Sequence, residues 1–229
     1  MQKKVALHYL KAGLYEQAAN VATLETYKQL YSGHAKALLS LLQECAKQPL
    51  LDELKVKVLP AMGDIYTFYQ QLEPAQHAYL SALARLETIP TSPTIQTLKV
   101  QVHRDLGFLY RSAQPTEAMK WLQAGLTILS GADPIQEADL QIQLGDIHLR
   151  LGEHDAAHTA LEKGLSLLPL VPSRLRLLAL INLGRYYYYH NDLPKCNDIF
   201  TQALRMAEQF QDPFNRLALT INLANLKQT

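Results

Sequence analysis

The 229 residues are 48% apolar and 19% charged, a balance that suits a folded chain and excludes a disordered one. A formal net charge of +1 offers no basic field of the kind that holds a protein on a phosphate backbone, so direct nucleic-acid contact is not expected. Cys45 and Cys196 stand in no metal-ligand spacing, no signal-peptide pattern opens the sequence, and the apolar run 165–171 is too short to span a bilayer. A reducing cytoplasm is the compartment these features suit, with Cys196 a buried, inert thiol.

Ala, Leu, Gln and Glu dominate, Gly and Pro number only 10 and 11, and β-branched runs are short, so the elements are read as helices. Residues 3–12 form a short first helix with Val5, Leu7 and Leu10 on one broad face, closed by Gly13. A second runs over 15–31 with Ala18, Ala22 and Leu30, closed by Gly33. A third, 34–47, carries Leu38, Leu41, Leu42 and Cys45 at amphipathic spacing.

From there the chain repeats itself. Gly63 is followed by Tyr66, Ala75, Tyr79, Ala82 and Leu83. Gly107 leads to Tyr110, with Ala118, Leu122, Gly125 and Leu126 one residue early after a shortened turn. Gly145 gives His148, Ala157, Leu161, Gly164, Leu165 and then Pro169; Gly184 gives Tyr187, Cys196, Phe200, Ala203 and Leu204. The segment RLALTINLAN, around Ala224, echoes RLLALINLGR and starts a unit without its second helix, which suggests a piece of something longer. The spacing predicts helical hairpins over 51–89, 93–131, 134–170 and 172–211, an unpaired helix over 213–229, and degenerate helices over 1–50. Glycine lets paired helices approach closely, the small residue fits the crossing, and the large residue sixteen positions after the glycine is expected to fill the gap between units. Pro60 falls within the first helix of its hairpin and predicts a kink if that helix begins near Leu51.

This pattern resembles the tetratricopeptide repeat, in which L-G-x-x-Y on one helix is followed by A-x-x-x-F and then P on its partner. The resemblance implies an all-α, right-handed tetratricopeptide-like (TPR-like) α-solenoid of about twelve antiparallel helices in a single superhelical domain. The central positions are 44, 38, 39 and 40 residues apart. An ordinary repeat takes 34, so the surplus should lengthen the first helix of each pair. The opening HYLKAGLYEQAANV and the later HAKALLSLLQEC resemble the start of the superhelical sensor region in MalT-like, ATP-dependent LuxR-type regulators of the STAND class. That resemblance implies a sensor that binds a small inducer or a protein partner and biases an attached ATPase, with any DNA-binding domain elsewhere.

In such an array, binding is expected on the wall formed by the first helix of each pair. Positions −3, +1, +4 and +5 from each central glycine turn away from the partner helix. They give Pro60, Asp64, Thr67 and Phe68; then Arg104, Phe108, Arg111 and Ser112; then Ile142, Asp146, Leu149 and Arg150; then Ile181, Arg185, Tyr188 and Tyr189, with Asn225 and Gln228 extending the stripe. Arginine forks and tyrosine rings suit peptide carboxylates and planar or polyhydroxylated ligands. The same arginines could instead pair with Asp64, Asp105 or Asp146 on neighbouring helices, and the sequence leaves both uses open. The ligand-binding candidates are therefore Asp64, Phe68, Arg104, Phe108, Arg111, Asp146, Arg150, Arg185, Tyr188, Tyr189 and Asn225. Trp121 is read as packing between repeats, and His154 and His158, four apart, as structural rather than metal ligands. No nucleotide loop, nucleophile elbow or zinc-protease motif is present, so no enzyme, cofactor or metal is expected. A generic protein-interaction scaffold that binds a peptide or a partner helix is the alternative to the sensor. Self-association is expected through an apolar face of the last helix around Leu219, Leu223 and Leu226.

Overall fold

The computed structural model describes residues 2–24, 33–129, 131 and 133–226, and among these every regular element is an α-helix. They divide into two compact units, 1–112 and 113–229. The first holds α1 (Gln2–Lys11), α2 (Tyr15–Thr23), α3 (Ala35–Lys47), α4 (Asp52–Phe68), α5 (Leu72–Thr88) and α6 (Pro93–Tyr110). The second holds α7 (Pro115–Leu129), α8 (Pro134–Leu151), α9 (His154–Leu167), α10 (Arg174–Tyr189), α11 (Leu193–Gln209) and α12 (Pro213–Leu226). The helix expected over 15–31 is described only as far as Thr23, and Leu30 and Gln228 lie outside the described residues.

In the first unit α1 and α2 pack on one another and on α3, while α2 and α3 also reach α4. The small residues Ala18, Ala19 and Ala22 let α2 approach closely, and Leu38, Leu42, Cys45, Val58 and Ile65 complete the core. Pro60 sits inside α4, which starts at Asp52, so one main-chain bond of that helix is missing. In the second unit successive helices pack as neighbours, α8 on α9 and α10 on α11, with α10 also against α8. Helix starts are set by local chemistry. Ser92, Asp133 and Ser173 accept main-chain N–H groups ahead of α6, α8 and α10, and Pro93 and Pro134 occupy the first turn, where no N–H is needed. The turn inside three of the four hairpins uses a left-handed residue seven positions after the central glycine: Gln70, Gly152 and Asn191. Only the middle one is the glycine that this backbone favours.

The large side chain sixteen positions after the glycine lies inside its own hairpin. A Cβ on Gly63 would sit 2.5 Å from Tyr79 Cε1, and one on Gly145 2.5 Å from Leu161 Cγ. One on Gly184 would enter the Phe200 ring. The expected placement of this residue between units is thus corrected: the glycine removes the only atom that would keep the side chain off the facing backbone. Leu161 still shares a core with Ala179 and Leu183 of α10, so it also serves the join to the next hairpin. The first helices α4, α6, α8 and α10 have 16–18 residues; among the second helices α5 and α11 have 17 each, whereas α7 has 15 and α9 has 14.

The two cysteines are buried and unbridged, and burial raises both thiols, Cys196 to about 11, so neither supplies a reactive thiolate. On α12 the apolar face expected to be open is instead packed: Leu219 is 1% exposed, and Leu223 and Leu226 join the core shared with α11. The exposed apolar face is the other one, with Phe214, Leu217 and Ile221. Among the described residues no helix is long and apolar enough to cross a membrane.

Candidate functional site

The candidate wall falls on α4 and α6 in the first unit and on α8, α10 and α12 in the second. On α4, Asp64 Oδ1 accepts the Tyr79 hydroxyl at 2.8 Å, and the same hydroxyl lies 3.3 Å from Thr67 Oγ1. On α6, Arg104 donates to its neighbour Asp105 through Nε at 2.9 Å and Nη2 at 2.5 Å. Phe68 and Phe108 are exposed, and Arg111 lies 3.3 Å above the Phe108 ring, a cation on an aromatic face. Asp64 is thus tied to α5 rather than presented to solvent. Burial, then the charge of Asp105, pushes its carboxyl up to about 7, against the pull of the Tyr79 hydrogen bond and of Arg104.

This displacement makes the fold pH-sensitive in a stated direction. The folded value lies above the ordinary 3.8, so between these values the native chain holds a proton that the unfolded chain has released. Stability from Asp64 is complete below the lower value and is lost as pH rises through the upper. Urea unfolding from about pH 4 to pH 8 should show wild type losing ~2–4 kcal/mol relative to Asp64→Asn, which keeps the acceptor without the charge. Parallel pH profiles for the two proteins would exclude this.

In the second unit the sequence candidates meet in one network. Asp146 Oδ2 accepts Arg150 Nε at 2.9 Å from the next turn of α8, and Oδ1 accepts Arg185 Nη1 at 2.5 Å from α10. Arg185 Nη1 also donates to Asn182 Oδ1 at 3.0 Å. Burial raises the Asp146 carboxyl, yet the bonds and charges of the two arginines outweigh it and hold the group below its usual value. Two guanidinium groups share one carboxylate, so the cluster keeps one uncompensated positive charge. The arginine side chains remain 36% and 29% exposed. Each guanidinium carries five N–H donors, and these bonds occupy one nitrogen of each.

Asn182 was not singled out in the sequence. Its signal was there: an asparagine recurs between apolar residues as Asn182 and Asn222, and a polar residue on an inward position needs a partner. Tyr188 and Tyr189 are both about half exposed and meet edge-on at 6.2 Å. Tyr189 also lies 5.2 Å from His154, and His158 lies 4.6 Å from Tyr186, so both histidines are ring-packing residues where α9 meets α10. Asn225 is exposed on α12. Ile142 and Leu149, assigned to the same stripe, are buried at 2% and 4% exposure. They join the core that α8 and α9 share with α10, and Ile142 approaches Gly164 where a Cβ would be 2.8 Å away. Their own partner helix α9 and the neighbouring α10 together cover that edge of the helix, which a single-helix projection does not include.

Paired antiparallel helices that close on a glycine and repeat at this spacing define the tetratricopeptide type of all-α fold. No protein-family model and no curated protein matches the chain. Solved structures do. The chain is similar to BtubC from P. vanneervenii, at 18% identity and a TM-score of 0.68, over 89% of this chain and 84% of that one. It is similar to a signal-transduction ATPase with numerous domains from Pyrococcus horikoshii that carries a tetratricopeptide repeat sensor, at 15% identity and a TM-score of 0.71. That match covers 95% of this chain but 35% of the larger one. A thermophilic tetratricopeptide protein of Thermus thermophilus matches at 19% identity and a TM-score of 0.60, over 92% of this chain and 100% of its own. At these identities the likeness establishes the fold.

Proposed function

We propose that the chain is a binding module whose second unit takes an anionic group of a peptide, partner protein or small effector on the Arg150–Asp146–Arg185 cluster. The single observation behind this reading is the arrangement of two partly exposed guanidinium groups around one carboxylate, which leaves a net cation with unused donors. Asp146 fixes both forks in place, so little side-chain freedom remains to be lost on binding. Tyr188 and Tyr189, exposed on the same helix as Arg185, offer ring faces for the uncharged part of the ligand, and Asn225 adds a polar contact from α12. In the first unit Phe68, Phe108 and Arg111 provide a separate candidate surface, with Asp64 and Arg104 as its internal supports.

The finer reading is a sensor segment of a cytoplasmic STAND-type transcriptional regulator. Its support is the resemblance of residues 5–46 to MalT-like regulators and the likeness to a structure that carries a tetratricopeptide sensor. Driving an attached ATPase from mostly off to mostly on would need a differential affinity of about 5 kcal/mol between its two states. Titration against peptide and metabolite panels tests the site. The Arg150→Ala, Arg185→Ala double variant should lose at least ~10-fold in affinity for whatever binds wild type, since charge-assisted hydrogen bonds contribute about 1.5–3 kcal/mol each. Unchanged binding removes the site. Binding of peptides alone, with no metabolite or sugar, favours the interaction scaffold over the sensor.

A further inference from the structure

Asn182 stands two residues before Gly184, at a position whose counterparts in the earlier hairpins are Ala61, Asp105 and Gln143. Among the described residues it is the one buried residue with an amide or charged side chain, at 9% exposure. Burying a carboxamide costs free energy unless it is hydrogen-bonded, so packing alone would favour an apolar residue, such as the buried Ala61 of α4. Its bond accounts for its presence. Arg185 has only donors, so the atom it meets at 3.0 Å is Oδ1, and chemistry fixes which way the amide faces. The same guanidinium nitrogen reaches Asp146, so Arg185 is held from two sides, by its own helix and by α8.

The equivalent position in the first unit shows what a charge there does. Asp105 takes its neighbour Arg104 through both Nε, at 2.9 Å, and Nη2, at 2.5 Å. One edge of that guanidinium is filled, and its charge is matched by a carboxylate. Arg185 instead gives Nη1 alone to its two acceptors, so they leave its Nε–Nη2 edge unused. That edge suits the two oxygens of one carboxylate. We propose that Asn182 is the positioning residue of the anion site: it fixes the Arg185 fork with an acceptor that brings no charge, and so keeps the cluster cationic. This rests on the reading of Arg150, Asp146 and Arg185 as an anion site. An aspartate in its place would fill the same space and accept the same bond. Two carboxylates would then balance two guanidiniums, and no net charge would remain to draw an anion.

Acetate, a minimal carboxylate, is the probe, titrated at neutral pH and constant ionic strength while backbone amide and arginine Nε–Hε signals are followed by NMR. In wild type the signals of Arg185 and its neighbours on α10 should shift saturably. Asn182→Asp should lower acetate affinity at least ~10-fold, because a second carboxylate then faces the anion across Arg185. Its circular dichroism should match wild type. Asn182→Ala removes the acceptor without adding charge, and affinity should fall ~2–5-fold. The heteronuclear NOE of Arg185 Nε should drop in Asn182→Ala, as the fork loses its hold, and stay level in Asn182→Asp. A purely structural amide predicts the reverse, with Asn182→Asp binding like wild type because shape and acceptor are kept. That result overturns the proposal; should the aspartate variant not fold, Asn182→Ala with wild-type affinity and NOE does so. If Arg150→Ala, Arg185→Ala abolishes the response while Asn182→Asp preserves it, the anion site stands and the role of Asn182 falls. A wild type whose cluster signals ignore acetate overturns both.

Discussion

Phe200→Ala is expected to lower stability by about 3–5 kcal/mol. The ring is 3% exposed and lies directly on the Gly184 backbone, within a core of Leu177, Leu180, Cys196, Ala203, Ala207 and Leu219. Truncation leaves a void bounded on one side by main chain rather than by side chains. Main chain in a helix cannot lean in to refill the space, so relaxation is small and the cavity penalty is near its upper range. At ~2–4 °C per kcal/mol for a chain of this size, the thermal midpoint should fall by roughly 10 °C. A loss under ~1 kcal/mol in urea unfolding would show that the ring does not carry the α10–α11 join.

Gly145→Leu makes the converse case, with an expected cost of ~1–3 kcal/mol or more. At an exposed helical site, replacing glycine with a side chain gains up to about 1 kcal/mol of helix propensity. Here the first added carbon would stand 2.5 Å from Leu161 Cγ and 2.6 Å from its Cδ2, with the Ala157 carbonyl oxygen at 3.4 Å. Leu161 is fully buried and has nowhere to turn, so the sign reverses. Coupling provides the decisive measurement. Leu161→Ala alone should cost about 2–5 kcal/mol, but the Gly145→Leu, Leu161→Ala pair should cost less than the sum of the singles, because each fills or vacates the same space. Strict additivity in a double-mutant cycle would place the two residues apart and disprove the packing.

Much of the fold was readable because its determinants are local. Gly145 and Leu161, or Gly184 and Phe200, recur sixteen positions apart, so the repeat could be counted along the chain, although the large residue was expected between units and lies inside its own hairpin. Capping residues and prolines mark the helix starts in the same way, as at Ser92-Pro93 and Asp133-Pro134. The candidate site was less legible. Helical projection placed Asp146, Arg150 and Arg185 on one side of their helices, and there they meet. The same projection gave Ile142 and Leu149 to that side, although both are buried in the core that α8 shares with its partner α9 and with α10. It also chose Leu219, Leu223 and Leu226 as the open face of α12, when they pack against α11.

The sequence by itself determined the helices and their punctuation, because those depend on residues within a turn. That the large residue sixteen positions on closes its own hairpin, as Tyr79, Leu161 and Phe200 do, was decided by the tertiary structure. Only the tertiary structure decided which edge of a helix is core and which is wall, since that depends on how its partner helix and the next hairpin pack against it. It also decided the use of the arginines. A carboxylate on α8 that bonds both its own Arg150 and the Arg185 of α10 is fixed by how two hairpins stack, and no periodicity along either helix encodes it.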